Sequence, residues 1–151
     1  MLLEGQTVEI QGHLTGDSRA CPGCGQSSQA IHSHYCRRLR DIPISTWHVQ
    51  LVIRIRRFRC QNRECTRQTF AESLADLAPA YARRSSRLTT ALRAVGLVVG
   101  AQAGSRLAGQ LRMKTSPTTL LRVLRQTPLP AIVTPRVLGI DDWGGARKVV
   151  M

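Results

Sequence analysis

Two hydrophobic periodicities divide this sequence near residue 75. In "TWHVQLVIRIRRFRC" apolar side chains recur at every second position: Val49, Leu51, Ile53 and Ile55. Between them lie Gln50, Val52, Arg54 and Arg56. This alternation predicts a β-strand with one aliphatic face and one face that becomes basic toward Cys60. The preceding stretch, "AIHSHYCRRLRDIP", predicts the opposing strand of a β-hairpin.

After "FAESLADLAPAYARRSS" the hydrophobic period changes to that of a helix. A first helix is predicted to be capped by Ser85 or Ser86 and to end at Gly100, with inward positions Leu88, Leu92, Val95 and Val99. A second helix in "AQAGSRLAGQL" is predicted to bury Ala103, Leu107, Ala108 and Leu111. In the third, Ser116 is the cap and Pro117 the first residue, with Leu120, Leu121 and Leu124 inward.

The net charge of the chain indicates which kind of molecule it binds. The 151 residues carry a net charge of +13, and ten basic residues but no Asp or Glu lie between Leu77 and Ile140. Ordinary soluble surfaces mix both signs. A one-sided basic surface favours a polyanionic partner, and phosphate contact makes nucleic acid the first candidate.

The cysteines predict a metal site. "CPGCG" places Cys21 and Cys24 in a knuckle, and "FRCQNRECTRQTF" supplies Cys60 and Cys65 directly after the predicted strand. Two such pairs are typical of a tetrahedral four-cysteine zinc ribbon, in which zinc binding supplies folding energy. His32, His34 and His48 are alternative ligands, although lone histidines more often make ordinary hydrogen bonds. Cys36 has no partner at ligand spacing and is predicted to be a small buried side chain.

Three short helices, the last one polar and basic on its outer face, predict a helix-turn-helix. In that motif the start of the second helix meets base edges in the major groove. The candidates for base contact are Thr118, Thr119 and Arg122. The candidates for phosphate contact are Arg112, Lys114 and Arg125. Arg54 and Arg56 on the strand are further candidates for DNA contact. The alternative is a small helical bundle with a solvated basic face.

Nearly the whole sequence resembles the ISL-three-type insertion-sequence transposases. The resemblance is carried by "CPGCG", "IHSHYCRRLRDIP", "RRFRCQNRECTRQTFAE", "SPTTLLRVLR" and "VLGIDDW". It implies that Cys21, Cys24, Cys60 and Cys65 bind zinc and that the N-terminal part binds double-stranded DNA at the transposon inverted repeats. Asp141 matches the first catalytic carboxylate of an RNase H-like DDE domain that uses Mg²⁺ or Mn²⁺; Asp142 is the second choice. Cys36 departs from the family pattern, in which a polar or basic residue is expected.

The C-terminal stretch is expected to hold only the start of that catalytic domain. "QTPLPAIVTPR" is typical of an extended linker, and "VLGIDDW" predicts the first strand beyond it. No acid follows Asp142, whereas two-metal chemistry needs several converging carboxylates. We therefore expect a truncated transposase that binds element ends without cutting them.

The predicted fold class is α+β: a four-cysteine zinc ribbon with a β-hairpin (1–75), an all-α helix-turn-helix (76–127), a linker (128–136) and the truncated RNase H-like strand (137–151). The predicted function is sequence-specific DNA binding in DNA transposition. A zinc-ribbon transcriptional regulator or repressor is the alternative. An RNA-binding ribbon is a third interpretation, disfavoured because no aromatics line the basic strand.

The remaining expectations concern location and assembly. The N-terminal sequence "MLLEGQTVEI" lacks the pattern of a secretory signal, and the most apolar stretch is too short to span a bilayer. We expect a cytoplasmic, nucleoid-associated protein without a membrane partner. It is expected to form a homo-oligomer or to associate with full-length transposase.

Overall fold

The computed structural model describes residues 7–128. Within this range the chain forms six strands and two helices, in agreement with the α+β prediction for this part. The bounds are β1 Thr7–His13, β2 Arg19–Ala20, β3 Ser27–Ser28, β4 Ile31–Ile44, β5 Trp47–Arg59, β6 Thr69–Ala71, α1 Ser86–Gln110 and α2 Pro117–Arg125. Asp141, Asp142, almost all of the predicted linker and the predicted catalytic strand lie outside the described residues.

The central feature of the sheet is the long hairpin of β4 and β5. The two strands pair in antiparallel register, with Leu39 opposite Leu51 and Cys36 opposite Arg54, which confirms the predicted hairpin. β1 runs parallel to β5 on its other edge, and the short β6 pairs antiparallel with residues 57–59 of β5. Strand β5 is thus hydrogen-bonded along both edges, which explains why it carries the most apolar sequence of the sheet.

The side-chain alternation of β5 supplies two separate cores. Val49, Leu51 and Ile55 are buried together with Leu39 of β4, as their odd-numbered spacing predicts. This first cluster is closed by Leu74 and Ala78, from the segment that follows β6. Phe58 lies on an even-numbered position and is buried in a second cluster with Phe70 and Cys21. The predicted domain boundary at residue 75 stays a prediction, although Ala78 packs on the sheet.

The helical part begins and breaks where the sequence indicates. Ser85 is the N-cap of α1, and its hydroxyl accepts a hydrogen bond of 3.1 Å from the Leu88 N–H. Gly100 interrupts α1 with φ 75° and ψ 176°, which divides the helix into segments 86–99 and 101–110. Ser116 caps α2, whose first residue is Pro117. The predicted break and the predicted caps are therefore confirmed.

The helices pack through two glycines and through part of the predicted apolar stripes: the predicted inward residues Leu88, Leu92, Ala108 and Leu120 form one buried cluster. A Cβ at Gly104 would lie 2.8 Å from Leu120 Cδ2, and one at Gly96 would lie 3.1 Å from Leu120 Cγ. Leu120 is fully buried between the two segments of α1, and Val123 is buried beside it. Four predicted inward residues are instead exposed, because the glycines rotate the contact face away from them: Val99, Leu107, Leu111 and Leu121.

Strand β4 and the start of α1 are joined at one point. The backbone of Arg40 accepts from the Ser85 N–H at 2.9 Å and donates to the Arg83 carbonyl at 3.0 Å, which makes an isolated parallel bridge between Arg40 and Arg84. Beside it, the Asp41 carboxylate is buried and accepts from Ser85 Oγ at 2.6 Å and from Arg87 Nε at 2.7 Å. Arg87 Nη2 also donates to the second carboxylate oxygen. The cap of the helix is therefore held by the sheet.

Burial raises the pKa of Asp41, but the hydrogen bonds from Arg87, Ser85 and the Ile42 N–H outweigh it and hold the pKa below its ordinary value. The unfolded chain therefore binds more protons in the range between the two pKa values. It follows that this carboxylate stabilises the fold fully above its ordinary pKa of 3.8, and that the contribution is lost as pH falls through the lower folded-state value.

We predict that Asp41→Asn lowers the free energy of unfolding at neutral pH by about 1–3 kcal/mol, because Asn keeps the shape but loses the charge-assisted hydrogen bonds. The difference between variant and wild type should shrink as pH falls below the ordinary carboxyl pKa. Denaturant unfolding over a pH series measures it. A difference that does not change with pH would contradict an ionised Asp41.

We also predict opposite effects for two exposed glycines of α1. At both Gly100 and Gly109 an added Cβ would have no other group within 4 Å, but only Gly100 has a positive φ. Gly100→Ala should destabilise the fold by about 1–3 kcal/mol, because its backbone region is almost restricted to glycine. Gly109→Ala should stabilise it by roughly 0.5–1 kcal/mol. Thermal unfolding of both variants measures the two effects. Equal effects would contradict the interruption of α1 at Gly100.

Candidate metal centre and nucleic-acid interface

The first cysteine knuckle is formed by the turn between β2 and β3. The Cys21 N–H donates to the Gln26 carbonyl at 2.9 Å, and the Gly25 N–H donates to the Cys21 carbonyl at 2.8 Å. Gly25 has φ 76°, a conformation that glycine adopts without strain. The Gly23 N–H points at Cys21 Sγ, 3.4 Å away. A short, fully hydrogen-bonded turn thus presents Cys21 and Cys24 on one side.

The second knuckle follows β5 and leads into β6. The Cys60 N–H donates to the Gln68 carbonyl at 2.8 Å, which closes the loop between the two strands. Within the loop, Asn62 accepts the Cys65 N–H on its carbonyl and the Glu64 N–H on its side chain. These bonds turn Cys60 and Cys65 toward the first knuckle. Gly23 faces this loop so closely that a Cβ there would lie 3.3 Å from Cys65 Sγ.

The four thiol groups converge on one point. All four Sγ atoms lie within 4.8 Å of one another. Cys21 Sγ is 4.0 Å from Cys65 Sγ, and Cys24 Sγ is 3.6 Å from Cys60 Sγ. A tetrahedral zinc ion with bonds of ~2.3 Å to sulfur places its ligands about 3.8 Å apart. The cysteines present therefore fit a tetrahedral metal site with sulfur ligands.

The pKa values of the clustered thiols indicate that a cation is needed to balance their negative charge. The hydrogen bond from the Gly23 N–H lowers the pKa of Cys21 to about 7. For Cys60 the hydrogen bond at Asn62 acts in the same direction, but burial and the neighbouring thiols outweigh it and raise the pKa to about 12. Four sulfurs this close cannot all ionise without a compensating positive charge. A bound Zn²⁺ would supply that charge.

Among residues 7–128, the cluster of potential metal ligands contains the four predicted cysteines and none of the predicted alternative histidines. Cys36 lies on β4, away from the cluster, and is exposed. The prediction that Cys36 is buried is wrong, because the outer position on β4 faces solvent.

The metal cluster rests on an aromatic pair. Phe58 and Phe70 stack with ring centroids 5.8 Å apart, and both pack with buried Cys21. Cys60 and Cys65 cover the same cluster from the outside. The site is therefore attached to the end of the hairpin by a small core of its own, separate from the aliphatic core of the sheet.

Arg56 stabilises the part of the fold next to the metal site by binding a buried carboxylate. Its Nε donates to Glu72 Oε1 at 3.0 Å, and its Nη2 donates to the same oxygen at 2.5 Å. The Glu72 side chain is fully buried, and Arg56 Nη2 also donates to the Gly16 carbonyl at 2.6 Å. The strand pattern predicts Arg56 as a DNA contact, but its guanidinium is engaged in holding a buried carboxylate. Sequence reasoning missed this pair because Glu72 and Arg56 are far apart along the chain.

The other predicted DNA contacts lie on two surfaces. Arg54 is exposed on β5. Arg112 and Lys114 belong to the turn between α1 and α2; Lys114 is exposed, and Arg112 is half-buried with φ 61°. On α2, Thr118, Arg122 and Arg125 are exposed, while Thr119 is half-buried and its hydroxyl accepts from Ser116 Oγ at 2.9 Å. The turn and α2 thus bring all of these residues except Arg54 onto one unit of structure.

The helices of residues 7–128 include none that is long and apolar enough to cross a membrane.

We predict that Cys21→Ser or Cys60→Ser abolishes stoichiometric zinc binding, because each removes one of four ligands. The loss of order should be confined to the knuckles and the Phe58–Phe70 cluster, since Leu39, Leu51 and Ile55 form a separate core. Zinc analysis and hydrogen exchange measure the two effects. Cys36→Ser is the matched control, and a zinc content equal to wild type in Cys21→Ser would contradict the assignment.

Comparison with known proteins identifies this module. Residues 17–65, which include all four clustered cysteines, match the family model described as the zinc-finger of transposase IS204/IS1001/IS1096/IS1165. No curated protein and no solved structure matches the chain. The match supports a structural zinc at the four cysteines and a role in DNA binding as part of a transposase. Residues 17–65 are therefore similar to this transposase zinc finger, and the resemblance of the N-terminal part to an ISL-three-type transposase is confirmed.

Proposed function

We propose that this protein binds double-stranded DNA sequence-specifically at the ends of a transposable element, as the DNA-binding part of an ISL-three-type transposase. The observation that carries the proposal is the four-cysteine zinc finger of a transposase family in a chain of net charge +13. Zinc has a structural part in this proposal: it holds the two knuckles at the end of the hairpin. The DNA contacts come from the basic residues around it and from the helices.

The helical unit supports reading of bases by α2. Segment 101–110 of α1, the turn and α2 follow one another as in a helix-turn-helix, and Leu120 and Val123 bury one face of α2. The opposite face carries Thr118, Arg122 and Arg125, all exposed. In that motif the second helix enters the major groove. We assign base contacts to Thr118, Thr119 and Arg122, and phosphate contacts to Arg112, Lys114 and Arg125.

The zinc ribbon contributes further basic side chains, which lie on both faces of β5. Arg54, Arg57 and Arg59 are exposed on β5, and Arg63 is exposed in the second knuckle. These side chains have no carboxylate partner within residues 7–128. We propose that they contact the phosphate backbone, which adds affinity and a steep salt dependence without reading sequence.

A transcriptional regulator would use the same surfaces. The DNA sequence that the protein selects distinguishes a regulator from a transposase. Selection of binding sites from random duplex DNA should return the terminal inverted repeat of a transposable element. Recovery of promoter sequences without such repeats would favour the regulator. The assignment of Asp141 as a catalytic carboxylate stays a prediction.

We predict different effects for two basic residues of the helix-turn-helix. Arg122→Ala should weaken binding to the selected site by about 1–3 kcal/mol and relax preference at one or two base pairs, because a base contact is lost. Lys114→Ala should weaken binding to all duplexes about equally, because a phosphate is not sequence-specific. Repeating the selection with each variant measures both effects. The reverse pattern would mean that the recognition face is misassigned.

A further inference from the structure

The bridge between β4 and the start of α1 places two arginines side by side. Arg40 and Arg84 are the paired residues of the isolated parallel bridge, so their side chains leave the backbone on the same side. Neighbouring Asp41 and Ser85 point to the opposite side, where they bond to each other. The two guanidinium groups are therefore separated from the one carboxylate at this junction.

Arg84 carries a donor without an acceptor. Its Nη1 is shielded from solvent and, like Arg93 Nε and Thr115 Oγ1, has no hydrogen-bond partner among residues 7–128. Buried donors are almost always paired, because an unmade hydrogen bond leaves the cost of desolvation uncompensated. An unpartnered cationic donor at this position points to an acceptor that is not part of the described chain.

The charged groups that act on Arg84 are also positive. Burial lowers its pKa, and the charges of Arg40 and Arg122 lower it further. The carboxylate nearest in sequence to Arg40, Asp41, already accepts from Ser85, Arg87 and the Ile42 N–H. A negatively charged group between Arg40 and Arg84 would relieve the repulsion, and it would satisfy the unpartnered donor once the Arg84 guanidinium turned outward to meet it.

The junction is also tied to the turn of the helical unit. Arg40 Nη1 donates to the Lys114 carbonyl at 3.0 Å, so Arg40 reaches from the sheet to the turn between α1 and α2. A cavity of about 220 Å³ opens beside Arg40; its lining includes Arg112 and Lys114, and also Asp41, but not Arg84. An anion held between Arg40 and Arg84 would therefore lie next to this cavity, where the zinc-ribbon sheet and the helices meet.

We propose that Arg40 and Arg84 hold one phosphate of the bound DNA backbone at the junction of the sheet and the helix-turn-helix. This inference rests on the proposed function and names a contact that it does not include. Arg40 already contacts the turn that leads into α2, through its hydrogen bond to the Lys114 carbonyl. A phosphate contact beside the recognition helix sets its register on the duplex, and the base contacts then specify the sequence.

The test compares Arg84→Met with wild type in the full chain. Met keeps most of the apolar stem and removes the buried donor, so the thermal midpoint should be at least as high as that of wild type. Affinity for a short mixed-sequence duplex should fall about ten- to hundredfold, as expected for a lost charge-assisted hydrogen bond. A lower midpoint, or an unchanged affinity, overturns the inference.

The shared phosphate gives a second and sharper measurement. Each lost phosphate contact reduces the slope of log affinity against log salt by about one. The double variant of Arg40→Gln and Arg84→Met should show a reduction of about one, and each single variant a reduction no larger than that, because the two arginines hold the same phosphate. A reduction of about two in the double variant means separate contacts and overturns the inference. Arg83→Met, an exposed arginine adjacent in sequence, is the matched control and should leave the slope near that of wild type.

Inorganic phosphate distinguishes a DNA contact from a site for free anions. If phosphate raises the thermal midpoint of wild type but Arg84→Met binds duplex DNA normally, the site serves free anions only and the inference is overturned. If wild type binds no duplex, the proposed function itself fails. If wild type binds and selects a site but Arg84→Met is unchanged, only the shared phosphate contact is wrong.

Discussion

The buried carboxylate of Asp41 is the interaction on which the arrangement of this protein depends. It lies near the end of β4, accepts from the cap residue Ser85 and from Arg87, and so fixes where α1 begins relative to the sheet. The backbone bridge between Arg40 and Arg84 adds a second constraint at the same place. A buried carboxylate is stable only with such partners, and removing one partner leaves a charge that burial penalises. The sheet and the helices therefore hold one relative position.

The metal centre lies at the opposite end of the hairpin and has a different physical basis. The knuckles contain few apolar residues beyond Phe58 and Phe70, so burial alone supplies little stability there. Four sulfurs within 4.8 Å of one another hold this end together when a cation balances their charge. The aliphatic core around Leu39, Leu51 and Ile55 does not include the cysteines. The fold thus combines one part that is stabilised by packing and one that is stabilised by metal coordination.

Between these two ends the molecule is basic and has few internal partners for its charge. Glu72 and Asp41 are buried and already bound by Arg56 and Arg87, so most other arginines have backbone carbonyls or solvent as their partners. Arg84 and Arg93 each have part of the guanidinium buried without an acceptor among residues 7–128. Such an arrangement costs stability in the free protein, and a DNA backbone that passes the junction would recover part of it. Such a charge distribution is not favoured by folding alone and is consistent with a polyanionic partner.

Features that depend on local chemistry could be predicted from the amino-acid sequence. The alternation of Val49, Leu51 and Ile55 defined the buried face of β5, the serine caps and Gly100 defined the helix limits, and the cysteine spacing defined the metal ligands. Tertiary structure decided which residues meet across the chain. Gly96 and Gly104 make the helix contact with Leu120, and Leu107 and Leu121 are left exposed. Arg56 binds the buried Glu72 and is therefore not free to act on the basic surface. Those outcomes depend on side chains far apart in sequence, and their pairing is fixed only when the elements pack.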